Sequence, residues 1–178
     1  MRKLKLDELN RYDVTSFKTV TKLPVIAVLD NIRSAHNVGT FFRTADAFAF
    51  ESIYLCGVSA RPPHTEITKT AIGATESVPW LYFKTTLEAC QQLKIAGYTI
   101  IGVEQTDKSI ALEKIQAYKA PKTALIFGNE VEGLTDDILT MIDIAIEIPQ
   151  YGTKHSLNVA VCGGIVMHHF AEQLRKIS

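Results

Sequence analysis

The chain has 178 residues, of which 47% are apolar and 21% charged, a balance that excludes a disordered or fibrous polypeptide. One domain with one core is expected at this length, burying roughly 70% of the unfolded surface without disulfide or metal staples. Nineteen basic residues meet 19 acidic ones, so net charge gives no support to a nucleic-acid partner.

Residues 1–22 carry Arg2, Lys3, Lys5, Arg11, Lys18 and Lys22 against Asp7, Glu8 and Asp13, and read as a solvated basic extension of a domain over 23–178. The opening MRKLKLDELNRYD has no apolar core behind it, so a secretory signal is not expected. From residue 24 short β-branched runs follow one another: Val25–Leu29, Ile53–Cys56, Val78–Phe83, Thr99–Val103, Ala124–Phe127 and Ile144–Ile148. Their lack of polar alternation predicts strands buried on both faces. Helical patterns lie between them at Asn37–Ala49, Thr86–Ile95, Thr135–Met141 and Leu157–Ile177. The alternation predicts an α/β fold with a mostly parallel sheet and flanking helices.

Several chemistries lack their sequence signals. There is no G-x-G-x-x-G behind a strand, no G-x-x-x-x-G-K-[ST] and no G-x-S-x-G. The five histidines show no metal spacing, and His168 and His169 point to different sides of one helix. Cys56, Cys90 and Cys162 are far apart, which reads as reduced thiols of a cytoplasmic protein. No apolar run reaches the ~20 residues of a membrane span.

Three segments stand out. In the first, a helix starting near Asn37 carries Val38, Phe41, Phe42, Ala45 and Ala49 as an apolar stripe. Arg43 lies off that stripe and leans back over Gly39, toward free amides that favour a phosphate. An exposed Arg43 paired with Asp46 is the competing reading. In the second, the strand ending at Phe127 breaks into Gly128, Asn129, Glu130 and Gly133, where ligands of open α/β sheets bind. Gly128 would let a flat ligand approach the backbone; an ordinary loop with an exposed Glu130 is the alternative. In the third, Ile148 leads through a turn to Ser156, Leu157 and Asn158, with Ser156 a natural helix cap. The helix that follows is rich in small residues, Ala160, Cys162, Gly163 and Gly164, and its glycines cost helix propensity, which close packing must repay.

Together these segments resemble the three motifs of the SpoU/TrmH family of RNA ribose 2′-O-methyltransferases: N-x-G-x-x-x-R in Asn37–Arg43, F-G-x-E-x-x-G in Phe127–Gly133, and I-P-x-x-G-x-x-x-S-L-N-V in Ile148–Val159. The departures are Asn129, where proline or alanine is common, and Ala160. The resemblance implies a SPOUT-type fold with a deep C-terminal trefoil knot, a homodimer, and S-adenosyl-L-methionine as cofactor. It places Phe127, Gly128, Ile148, Leu157 and Asn158 against the cofactor. Asn37, Arg43, Glu130, Ser156 and Asn158 become the catalytic set, acting on tRNA or rRNA without metal or membrane. Arg43 would grip a phosphate and stabilise developing alkoxide charge. Two alternatives are a knotted RNA-binding protein without activity and a methyltransferase for a small molecule.

Overall fold

The computed structural model describes residues 1–5, 7–120 and 122–176. Its elements alternate as the apolar runs predict. After α1 (Val14–Thr19) come β1 (Leu23–Asp30), α2 (Ala35–Phe48), β2 (Phe50–Cys56), α3 (Thr65–Ala71), α4 (Ala74–Ser77) and β3 (Trp80–Phe83). The second half holds α5 (Thr86–Ile95), β4 (Thr99–Val103), β5 (Ile110–Ala111), β6 (Thr123–Phe127), α6 (Asp136–Leu139), β7 (Ile144–Glu147) and α7 (Val159–Arg175). The strands form one sheet in the order β3-β2-β1-β6-β4-β7-β5, and every pairing is parallel.

Strand side chains alternate between two cores. Val25, Ala27, Leu29, Ile53, Leu55, Leu125 and Phe127 pack beneath α2, α3 and α7. Ile26, Val28, Tyr54, Cys56, Ala124 and Ile126 pack beneath α5 and α6. Strands with apolar residues on both faces need helices on both faces, which the short connections supply.

The carboxyl ends of the strands are level. Leu29 pairs with both Leu55 and Phe127, Phe127 with Val103, and Val103 with Ile146. The loops that leave these residues therefore rise side by side, and the three motif segments belong to them.

Some boundaries differ from the sequence reading. The helix expected near Asn37 begins at Ala35, because Ser34 caps it by accepting from the Asn37 amide at 3.3 Å. Ser156 is not the cap of α7. Asn158 is, its Oδ1 accepting from the amides of Ala160 at 2.9 Å and Val161 at 3.2 Å. That helix therefore starts at Val159, and the Ile177 end expected for it lies outside the described residues. Ile148 leaves β7 one residue earlier than expected, and Val78 precedes β3. The basic segment 1–22, expected as a solvated leader helix, is α-helical over α1 only among the described residues, and helices α3 and α4 and the two-residue β5 had no sequence signal strong enough to place them.

Candidate functional site

A cleft of about 540 Å³ opens at the carboxyl ends of β4, β6 and β7, within the range of small-molecule sites. Phe127, Gly128, Glu130, Ile148, Ser156, Leu157 and Asn158 line it, so seven of the nine site residues named from the sequence converge there. Asn37 and Arg43 do not line it. Glu104, Glu130, Glu132 and Glu147 are among its lining residues, which include no lysine or arginine. Such a wall favours a ligand carrying positive charge and disfavours a free phosphate.

Behind the wall, Asn37 joins the three segments. It is 8% exposed, and its Nδ2 donates to Glu130 Oε1 at 3.1 Å. Its Oδ1 accepts from Asn158 Nδ2 at 3.4 Å. The other Glu130 contacts are the amides of Arg33 at 3.0 Å and Ser34 at 3.1 Å, just before α2. Burial pushes the Glu130 carboxyl up. The amides of Arg33, Glu130 itself and Ser34, with the Asn37 side chain, outweigh that and hold it below the ordinary carboxylate value. Glu130 is therefore an ionised clamp at neutral pH, not a proton donor.

The loop that carries Glu130 is closed by Asn129 and Gly133, which the sequence reading named without this role, and by Glu104 and Gln105, which it did not name. Asn129 and Gly133 exchange backbone hydrogen bonds at 3.1 and 3.0 Å. Asn129 Oδ1 accepts from the amides of Val131 at 2.9 Å and Glu132 at 3.2 Å, and its Nδ2 donates to the Asn31 carbonyl at 2.8 Å. Self-bonding of an Asx side chain two and three residues on is the signal that could have identified it. Glu104, at the end of β4, accepts from the Leu134 amide at 2.9 Å and lies against Gly133, whose φ is +68°. Gln105 Nε2 donates to the His155 carbonyl at 3.0 Å and ties β4 to the third segment.

Gly128, which lines the cleft, is also required by its own loop. A Cβ there would meet the Gly133 carbonyl carbon at 2.5 Å and the Leu134 nitrogen at 2.7 Å, so its missing side chain closes its own loop. Gly39 likewise makes room for α3, since a Cβ would run into Thr70 and the Ile67 carbonyl oxygen, the latter at 2.6 Å. Gly163 meets the expectation of close packing: a Cβ would lie 2.5 Å from Phe41 Cζ. Gly164 does not, because nothing lies within 4 Å.

Arg43 is exposed on α2 and, among the described residues, has no hydrogen bond or ion pair. The alternative pairing with Asp46 is absent, since Asp46 accepts from Ser77 Oγ instead. Six residues of helix separate Arg43 from Asn37, about 9 Å along the axis. An unpaired guanidinium at this distance is available to a ligand larger than the cleft holds.

With this geometry the class is an all-parallel α/β protein with a cation-favouring cleft at its strand ends, fenced by three interlocked motifs. The chain belongs to the SpoU rRNA Methylase family, whose model matches residues 24–168. It is 28% identical over 156 residues to the 23S rRNA (guanosine-2′-O-)-methyltransferase RlmB of Neisseria meningitidis serogroup B, covering 88% of this chain and 61% of that protein. It is 30% identical over 155 residues to the tRNA (guanosine(18)-2′-O)-methyltransferase of Aquifex aeolicus, covering 84% of this chain and 69% of that one. Among solved structures, the AdoMet-bound rRNA methyltransferase from Sinorhizobium meliloti superimposes with a TM-score of 0.80 at 26% identity, over 89% of this chain and 60% of that one. The chain thus spans about six-tenths of the first and third of these relatives.

Proposed function

We propose that this protein transfers the methyl group of S-adenosylmethionine to a ribose 2′-hydroxyl of tRNA or rRNA. The observation that carries this reading is the acidic cleft walled by Glu130 and Asn158, which Asn37 locks together from behind. The naming of its relatives supports the chemistry and the RNA class. The cleft fits the cofactor on two counts: its volume suits a nucleoside-sized ligand, and its carboxylates suit a sulfonium cation.

When bound, the cofactor supplies an electrophilic methyl carbon. The chain must then orient a ribose against it and manage one proton. Phe127, Gly128, Ile148 and Leu157 form the cofactor's side of the cleft. Ser156 and Asn158, at the start of α7, face the incoming sugar. Glu130 keeps its negative charge and holds Asn37 and the Arg33–Ser34 amides, so it positions groups rather than moving a proton. Guanidinium groups stay protonated, so Arg43 acts as a cation on the phosphate and on the developing alkoxide. The 2′-hydroxyl proton passes to that phosphate or to water.

The working form is a homodimer with a trefoil knot in the C-terminal part of the chain. Leu157, just before α7, and Val161 and Ile165 on it are 37, 54 and 42% exposed at a spacing of four residues, with Gly164 and His168 beside them. A second copy would cover this stripe, while Val166 and Phe170 face the core. In support of the knot, residues 148–158 pass beside the loops that follow β4 and β6, and Gly163 lets α7 press on Phe41. Residues 1–22 form an extension of the 23–178 domain, with α1 resting against α4. The three cysteines are unpaired, which supports a reducing compartment such as the cytoplasm. Among the described residues no helix is long and apolar enough to cross a membrane.

Calorimetry tests the cofactor reading. S-adenosylhomocysteine should bind at micromolar strength, about −8 kcal/mol, and ATP should not, because its phosphates meet the acidic wall. Equal binding of both, or of neither, would contradict it.

A further inference from the structure

The carboxyl edge of the sheet is divided by charge. The loops that leave β1, β2 and β3 (residues 31–34, 57–64 and 84–85) contain Arg33, Arg61, His64 and Lys84 and not one acidic residue. Arg33, Arg61 and Lys84 are all exposed, and among the described residues none is in an ion pair. The loops that leave β4 and β6 hold Glu104, Asp107, Glu130 and Glu132 against Lys108 alone, and the loop that leaves β7 adds Lys154 and His155. A net charge of zero therefore conceals three neighbouring loops that carry only basic charge, beside a predominantly acidic pair.

Register makes the basic rim continuous. Asp30 pairs with Cys56 and Cys56 with Phe83, so the three basic loops start level, at strand spacings of about 4.8 Å. The acidic groups that border these loops are already engaged: Glu130 accepts from the Arg33 and Ser34 amides, Asp30 is buried against Thr86 and Asn31, and Glu66 is spent on Lys69 at 2.7 Å. Arg61 is also fixed in place. Its guanidinium lies 4.1 Å from the centre of the Tyr82 ring, and the Tyr82 hydroxyl donates to the Gly57 carbonyl at 3.2 Å. Tyr82 itself remains 38% exposed. A charged plane stacked on an open aromatic ring suits a sugar-phosphate chain with unstacked bases.

We propose that the rim formed by Arg33, Arg61 and Lys84 is the track for the RNA backbone, and that it lays the strand across β3, β2 and β1 so that one ribose reaches the cleft. The inference rests on the RNA methyltransferase reading and adds the surface and the direction of approach. The acidic pair of loops repels phosphate, so the backbone is confined to one side of the cofactor. Phosphate contacts of this kind fix register and orientation and carry no sequence information.

The test compares two double charge reversals in the full chain. Arg61→Glu with Lys84→Glu alters the rim. Lys114→Glu with Lys119→Glu changes net charge equally in the turns that lead into β6. Binding of an unmodified tRNA transcript is titrated against salt, alongside binding of S-adenosylhomocysteine and thermal melting. The rim pair should weaken RNA binding by about tenfold or more and lower the salt slope by about 0.7–0.9 per lost contact. The control pair should stay within about twofold, and cofactor binding should be unchanged in both. Equal losses in the two pairs, or no loss at the rim, would overturn the proposal. A wild-type protein that binds RNA through the rim yet transfers no methyl group would instead refute the activity and leave the surface standing.

Discussion

Asn37 and Glu130 are 93 residues apart in the chain, yet the Asn37 amide donates to the Glu130 carboxylate at 3.1 Å from a buried position on α2. The bond joins the first and second motifs, and Asn158 extends it to the third. A cleft assembled from loops of different strands needs such ties to hold a fixed shape.

Glu130 should carry a pH-dependent share of stability. Its folded pKa lies below the unfolded value, so the stabilisation is present above the ordinary carboxylate range and is lost as pH falls through the folded pKa. Glu130→Gln should flatten that acid-side loss in urea titrations. Glu130→Ala should cost about 1–3 kcal/mol at neutral pH, since three donors lose their acceptor. Identical pH profiles for wild type and Glu130→Gln would count against the clamp.

Asp30 should show the opposite sign. It is 1% exposed, its Oδ1 accepts from Thr86 and from Asn31 Nδ2, and among the described residues its Oδ2 has no hydrogen-bond partner. Burial raises its pKa, so the charged form costs stability as pH rises from the unfolded value to the folded one. The stability of Asp30→Asn relative to wild type should therefore improve with pH over that window. A difference that does not change with pH would refute this.

Two adjacent glycines of α7 should behave differently. Gly163→Ala drives a methyl group into the Phe41 ring, which is 1% exposed and packs on Phe127 at 4.9 Å between ring centres. A loss of about 1–3 kcal/mol is expected by chemical denaturation. Gly164 has nothing of its own chain within 4 Å among the described residues, so Gly164→Ala, measured in a Val161→Glu, Ile165→Glu background where no second copy covers it, should gain about 0.5–1 kcal/mol from helix propensity. Equal effects at the two positions would mean that α7 sits differently on α2.

The apolar stripe of α7 makes the dimer testable. Wild type should sediment as a dimer at tens of micromolar, and Val161→Glu with Ile165→Glu should give folded monomers at the same concentration. Wild-type monomer at that concentration, or a dimer that survives both charges, would exclude this face as the contact.

How much was legible from sequence depended on the kind of signal. The runs around Ile26, Ile53 and Leu125 placed the central strands because burial on both faces leaves an apolar composition that no loop shares. Helix α3, TEITKTA, buries only Ile67 and Ala71, too few for a periodic stripe. The motif residues could be named but not their contacts: Gly128 and Gly39 are required by Gly133 and Thr70, partners remote or unremarkable in sequence. Asn129, set aside as a departure from the family pattern, holds the Glu130 loop together through its side chain. The cap of α7 moved from Ser156 to Asn158 because either residue type can cap, and only the chain path decides between them.

The most direct measurement is tritiated-methyl transfer from S-adenosylmethionine to unmodified tRNA and rRNA, followed by nucleoside mapping, with wild type, Arg43→Ala and Arg43→Lys side by side. The expected result is a 2′-O-methylated nucleoside from wild type. Arg43→Ala should lose ~10²–10³ in rate with cofactor affinity unchanged, and Arg43→Lys should recover little because it lacks the planar fork. A methyl group found on a base, no transfer from a protein that binds the cofactor, or turnover in both variants within a few-fold of wild type would contradict the proposed chemistry.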